Sequence, residues 1–94
     1  MKLAISHRAL KHLDRIHAYL AERNAKAANA EITAILDLVE HQILKFPNMG
    51  RMGRRKGTRE FPHPPYLIVY RVKGELVTVV AIFDGRRNIG VSYT

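Results

Sequence analysis

Gly57 to Val72 reads GTREFPHPPYLIVYRV, and this stretch decides the fold. From Tyr66 to Val72 nearly every residue is β-branched, aromatic or aliphatic, and so short an apolar run bounded by breakers suits a strand buried on both faces. Pro62, Pro64 and Pro65 form a turn in front of it. Before that turn, Thr58 to Phe61 makes a partner strand, which the prolines keep from running on inside a sheet. Behind it, Lys73-Gly74 supplies a two-residue turn, and Glu75 to Phe83 alternates, with Val77, Val79 and Ala81 on one face and Leu76, Val80 and Ile82 on the other. The back half therefore predicts a sheet with residues 66–72 at its centre.

The front half reads as its cover. Lys2 to Ile5 alternates, so a short first strand can turn Leu3 and Ile5 to a core. Ser6 stands where an N-cap would, and Leu10, Leu13, Ile16 and Leu20 follow at helical spacing, predicting a helix to about Arg23. Asn24 caps a second helix from Ala25, in which Ala28, Ile32, Ile35, Leu36, Val39 and Ile43 keep one apolar face until Pro47 removes a donor. Two amphipathic helices with so short a connection must pair to hide their stripes. The expected fold is α+β, ordered β-α-α-β-β-β, a helical hairpin on one face of a small, mainly antiparallel sheet. Ninety-four residues suit one domain over 1–94.

Sixteen Lys and Arg against eight Asp and Glu leave a formal charge of +8, which favours phosphates or an acidic partner. The charge is clustered: Arg51, Arg54, Arg55, Lys56 and Arg59 lie in or beside the glycine-rich connection Asn48 to Thr58, and Arg86 and Arg87 form a second pair. Long irregular connections are usually functional or mobile. With no cysteine there is no disulfide framework and no thiolate metal site. No apolar window is long enough for a bilayer and the N-terminus turns charged early, so a cytoplasmic protein without a membrane partner is expected.

Phe46-Pro47 with Met49-Gly50-Arg51, Gly57-Thr58-Arg59-Glu60-Phe61, Pro65-Tyr66-Leu67-Ile68-Val69-Tyr70-Arg71-Val72 and Gly85-Arg86-Arg87 together resemble the ParE/RelE superfamily of toxins from bacterial type II toxin–antitoxin systems, also described as plasmid-stabilisation proteins. The resemblance spans nearly the whole chain and implies the fold just derived. It also implies a cognate antitoxin, acidic and encoded alongside, that lays a C-terminal segment across the helical hairpin, near Leu13 and Ile16, and onto the sheet. ParE-like members block DNA gyrase, whereas RelE-like members cut mRNA in the ribosomal A site. RelE-like proteins typically carry an arginine after the tyrosine that opens the central strand; here that position is Leu67. Many relatives have a histidine before Gly-Arg-Arg, and here it is Asp84. The resemblance therefore implies a gyrase inhibitor acting by binding, growth-arresting and without cofactor. The alternative is a ribosome-dependent endoribonuclease built on Arg71, Arg87 and Tyr93, with Arg59 as a further cation.

The basic loop can contact a target, dock an acidic antitoxin or serve as a solvated connector. Arg59 and Arg71 either join that surface or pair with Glu60 or Glu75 across strands. His7, His12 and His17 recur every fifth residue and spread around the first helix, so they read as surface groups. His41 has no companion at a supported ligand spacing, and His63 sits between prolines in an exposed turn, so no metal site is expected. Tyr66 and Tyr70 share a strand face and belong to the core. Nucleophile elbow, phosphate loop and paired carboxylates are all missing from the sequence, which leaves hydrolase and kinase chemistry without support.

Overall fold

The computed structural model describes residues 1–85. The strands are β1 (Lys2–Ile5), β2 (Arg51–Met52), β3 (Thr58–His63), β4 (Tyr66–Lys73) and β5 (Leu76–Asp84); the helices are α1 (His7–Ala21) and α2 (Ala25–Leu38), the latter continued by a π-helical turn, Val39–Ile43. The strands form one sheet in the order β1-β5-β4-β3-β2. It is antiparallel except that β1 runs parallel to β5. The fold is α+β, with the helical hairpin against the sheet.

Both helix starts follow from the sequence. The Ser6 Oγ accepts from the Ala9 amide at 3.0 Å and the Asn24 Oδ1 from the Ala27 amide at 3.1 Å, each satisfying a donor that the first helical turn leaves open. On α1 the buried stripe is Ala9, Leu13 and Ile16, while Leu10 is exposed. The expected stripe thus lies one position off at its N-terminal end. On α2 and its extension the buried residues are Ala28, Ile35, Val39 and Ile43. Steps of four drift around an α-helix of 3.6 residues per turn, and the wider π turn, closed by the Leu44 amide on the Val39 carbonyl, offsets that drift and keeps Ile43 in the core.

The central strand has the predicted character, with Tyr66, Leu67, Ile68, Val69 and Tyr70 all buried. Tyr66, Ile68 and Tyr70 join Val77, Val79 and Ile82 in the core under the helices. Leu67, Val69, Ala81 and Phe83 form a second cluster, and these residues alternate with the first set along β4, so they occupy the opposite face.

Five details depart from expectation. The first is a bulge: Val69 pairs with Ala81 but Tyr70 with Val79, so Val80 is the extra residue. This flips the alternation, moving Ala81 away from Val77 and Val79 and bringing Ile82 to their face. Second, β3 continues through Pro62 to His63, because β2 covers only Arg59 and Glu60 and leaves no strand beside Pro62; a missing donor is tolerated at such an edge. Third, Lys73 pairs with Leu76, so the hairpin turn is Gly74-Glu75, with Gly74 at a φ of 59° that suits a primed turn. Fourth, Arg51–Met52 adds a two-residue strand inside the connection expected to be irregular. Fifth, Leu3 is exposed on the edge strand while Ile5 packs against the core.

Where β1 stops, α1 takes over the free side of β5. The Ser6 amide donates to the Val79 carbonyl at 2.9 Å and the Ser6 hydroxyl to the Val80 carbonyl at 3.1 Å. The Ile82 amide donates to the His12 Nδ1 at 3.0 Å. Backbone groups that a strand would have paired are thus satisfied by the Ser6 amide and by the Ser6 and His12 side chains, as burial requires.

Candidate functional site

The basic loop is built around one carboxylate and one phenol. Glu60 is buried on β3, with its Oε1 3.1 Å from the Arg51 Nε and its Oε2 accepting from the Arg54 amide at 3.3 Å. A carboxylate in that position needs such donors, since a buried unpaired charge is costly. From the other face, the Tyr70 hydroxyl donates to the Pro47 carbonyl at 2.7 Å and accepts from the Gly50 amide at 3.0 Å. Burial pushes the Tyr70 phenol above its usual range, opposed by the Gly50 amide and the Arg59 charge. Gly50 has to be glycine here, because a Cβ would lie 2.5 Å from that hydroxyl. Gly57, at a φ of 83°, turns the chain back into β3.

The expected contact residues divide accordingly. Arg51 pairs with Glu60, while the Arg59 Nη1 donates to the Gly50 carbonyl at 2.8 Å and to the Asn48 carbonyl at 3.2 Å. Arg59 lies opposite Tyr70 and Arg71 opposite Thr58, which puts the two arginines on opposite faces of the sheet, so they do not converge on one site. Neither pairs with Glu60, whose guanidinium partner is Arg51. Arg54, Arg55 and Lys56 project from the exposed loop. Arg86, Arg87 and Tyr93 lie outside the described residues.

On the sheet face away from the helices there is a hollow of about 250 Å³. Val69, Val80, Ala81 and Phe83 form its apolar part; Arg8, Arg55, Arg71, Ser6 and Thr58 supply its polar atoms. Thr58 is oriented by donating its hydroxyl to the Arg55 carbonyl, and the Arg8 guanidinium lies 5.5 Å from the Phe83 ring centroid. Leu13 and Ile16, by contrast, are inside the core beneath the helices, and the helix-surface apolar residues are Leu10 and Tyr19.

The histidines behave differently from one another. His12 is half-buried at the bulge, 5.4 Å from Phe83, and its pKa is lowered first by burial and then by Arg8 and Arg15. It is no surface group: in helical phase it borders the Ala9, Leu13 and Ile16 stripe on the Ile16 side, a signal that spacing among histidines alone missed. His63 is on β3, not in an exposed turn, with its Nε2 3.0 Å from the Glu31 Oε1 on α2. His41 does have companions, since one ligand atom each from Asp37, Glu40 and His41 lies within 4.8 Å of the others. All three side chains are exposed.

Among solved structures, the chain is similar to one in the chromosomal ParDE toxin–antitoxin system of P. aeruginosa, with a TM-score of 0.77 at 24% identity over 89% of this chain and 95% of that one. It is also similar to a chain of the RelBE2 toxin–antitoxin complex of Mycobacterium tuberculosis, with a TM-score of 0.67 at 16% identity over 88% and 95%. The architecture is thus that of the RelE/ParE toxin fold. Toxin ParE3 of Caulobacter vibrioides is 38% identical over 80 residues, covering 82% of this chain and 79% of that protein. The family model described as "ParE toxin of type II toxin-antitoxin system, parDE" matches residues 3–89, and the chain belongs to that family.

Proposed function

We propose that this ParE-type toxin arrests growth by binding DNA gyrase in the cytoplasm, performing no covalent chemistry of its own, and that a cognate antitoxin neutralises it. The observation that carries the reading is the helix-free face of the sheet. Leu67, at the position where RelE-like nucleases typically place an arginine, is buried with Val69, Ala81 and Phe83. Cleavage of RNA through the 2′-hydroxyl needs groups that move that proton and protonate the leaving oxygen. An aliphatic side chain at that position supplies neither. The 38% identity to a protein named Toxin ParE3 favours the same branch, and the ParDE and RelBE2 assemblies favour an antitoxin partner.

Induction of the chain without antitoxin tests this. The expected result is growth arrest with an induced DNA-damage response while pulse-labelled translation continues at first. Immediate translation arrest, with toeprints showing cuts in the ribosomal A site, would overturn it in favour of the nuclease.

A further inference from the structure

We propose that Phe46, Met49 and Met52 form the apolar centre of the surface by which the chain grips DNA gyrase, and that gyrase meets them with an apolar recess rimmed by carboxylates. The inference rests on the gyrase reading and adds where the contact lies and what chemistry answers it.

Among the described residues, Met52 and Phe46 are the most exposed of the large apolar side chains, at 71% and 64%, with Met49 at 44%. All three belong to the connection that follows the π-helical turn and enters β2. Their backbone is held. The Met49 amide donates to the Phe46 carbonyl at 3.0 Å, and the Tyr70 hydroxyl ties Pro47 and Gly50 to the core. Met52 stands opposite Arg59 in the β2–β3 pairing, and the Arg59 guanidinium reaches back to the Asn48 and Gly50 carbonyls. Arg59 thus joins Met52 to the turn that carries Phe46 and Met49. Apolar side chains on a fixed backbone have little left to lose in ordering when they bind. Methionine, aromatic rings and arginine are also the residues enriched at the centre of protein interfaces, where the unbranched thioether adapts to its partner.

The surrounding charge selects the partner. Residues 41–59 hold Lys45, Arg51, Arg54, Arg55, Lys56 and Arg59 and not one Asp or Glu. Lys45, Arg51, Arg54, Arg55 and Lys56 are exposed. Glu60, the next carboxylate in the chain, is buried and taken up by Arg51 and the Arg54 amide. An acidic rim on the partner complements this ring of cations and speeds encounter. A second copy of the chain would set cations against cations. Duplex DNA offers the charge, but contacts to its phosphates leave the thioethers and the phenyl ring in water. An acidic protein surface with an apolar recess satisfies both halves of the patch.

The test is biolayer interferometry with immobilised gyrase holoenzyme, titrated with the full chain. Phe46→Ser and Met52→Ser should each weaken binding about tenfold, as loss of a central interface anchor does. Met52→Leu, which keeps the apolar volume, should stay within about twofold of wild type, as should Lys26→Glu on the exposed start of α2. Lys56→Glu should slow association and reduce its dependence on salt. Antitoxin affinity of the Phe46→Ser, Met52→Ser double variant should stay within about twofold of wild type. Unfolding midpoints exclude misfolding, with Met52→Gln as a milder substitute. Wild-type binding that the double variant retains overturns this inference alone, and so does an unchanged association rate in Lys56→Glu. Absence of binding by the folded wild-type chain overturns the gyrase reading, and this inference with it. A double variant that loses antitoxin as much as gyrase assigns the patch to the antitoxin. One that loses a duplex oligonucleotide, or dissociates a dimer of the chain, while keeping gyrase assigns it to DNA or to self-association. Each of these results overturns the proposal.

Discussion

Removing a single oxygen, by Tyr70→Phe, should loosen the attachment of the basic loop to the core. The Tyr70 hydroxyl lies under that loop, accepting from the Gly50 amide at 3.0 Å and donating to the Pro47 carbonyl at 2.7 Å. Phenylalanine keeps the ring packing and strands both backbone groups. A buried polar group left without its partner costs about 1–3 kcal/mol. Pro47 is only half-buried, so water can recover part of its loss, and the net cost should be about 2 kcal/mol. For a chain of this size that corresponds to a fall in Tm of roughly 8–15 °C. Urea and thermal unfolding of the purified chain measure it directly. A change below about 0.5 kcal/mol, the range of ordinary surface substitutions, would show that the hydroxyl does not hold the connection. Gly50→Ala attacks the same junction from the other side, where its Cβ would meet the hydroxyl at 2.5 Å and the Glu60 carbonyl at 3.0 Å. It should cost about 1–3 kcal/mol by overpacking.

His12 accepts from the Ile82 amide through Nδ1 and must be neutral there, and its pKa is lowered from 6.5 by burial and by Arg8 and Arg15. The unfolded chain then binds the proton more readily, so this contribution is complete above pH 6.5 and is lost as pH falls below it; the difference in unfolding free energy between wild type and His12→Leu should narrow on going from pH 7.5 to 5, and a constant difference would contradict it. Glu60→Ala removes the acceptor of Arg51 and of the Arg54 amide, and trypsin should cut faster between Arg51 and Lys56 under native conditions; an unchanged rate would show the loop is held otherwise. Leu13→Asp or Ile16→Asp places a charge in the core and should cost more than about 4 kcal/mol, seen as lost far-UV dichroism. Leu10→Asp, on the exposed side of the same helix, should change stability by less than about 0.5 kcal/mol.

The elements governed by local periodicity and capping were legible in the sequence. Ser6 and Asn24 cap where their side chains predict, and residues 66–70 are buried as an apolar run between breakers should be. What the sequence hid depends on contacts distant along the chain. The bulge at Val80 arises where α1 replaces β1 beside β5, through Ser6 and His12. Strict alternation along Leu76–Asp84 could not show it, and so Ala81 and Ile82 exchange faces. The Glu60–Arg51 pair and the separation of Arg59 from Arg71 follow from strand register, which short, proline-bounded strands do not announce. The hollow on the helix-free face joins α1, the basic loop, β4 and β5, and its arginines are far apart in sequence.

The most direct measurement of the central reading is a supercoiling assay with purified DNA gyrase, relaxed plasmid and ATP, titrated with this chain in the presence and absence of antitoxin. A gyrase-binding toxin should suppress supercoiling or accumulate cleaved plasmid as the chain reaches stoichiometric excess, and antitoxin should restore activity. Full supercoiling at large excess of folded chain would contradict it.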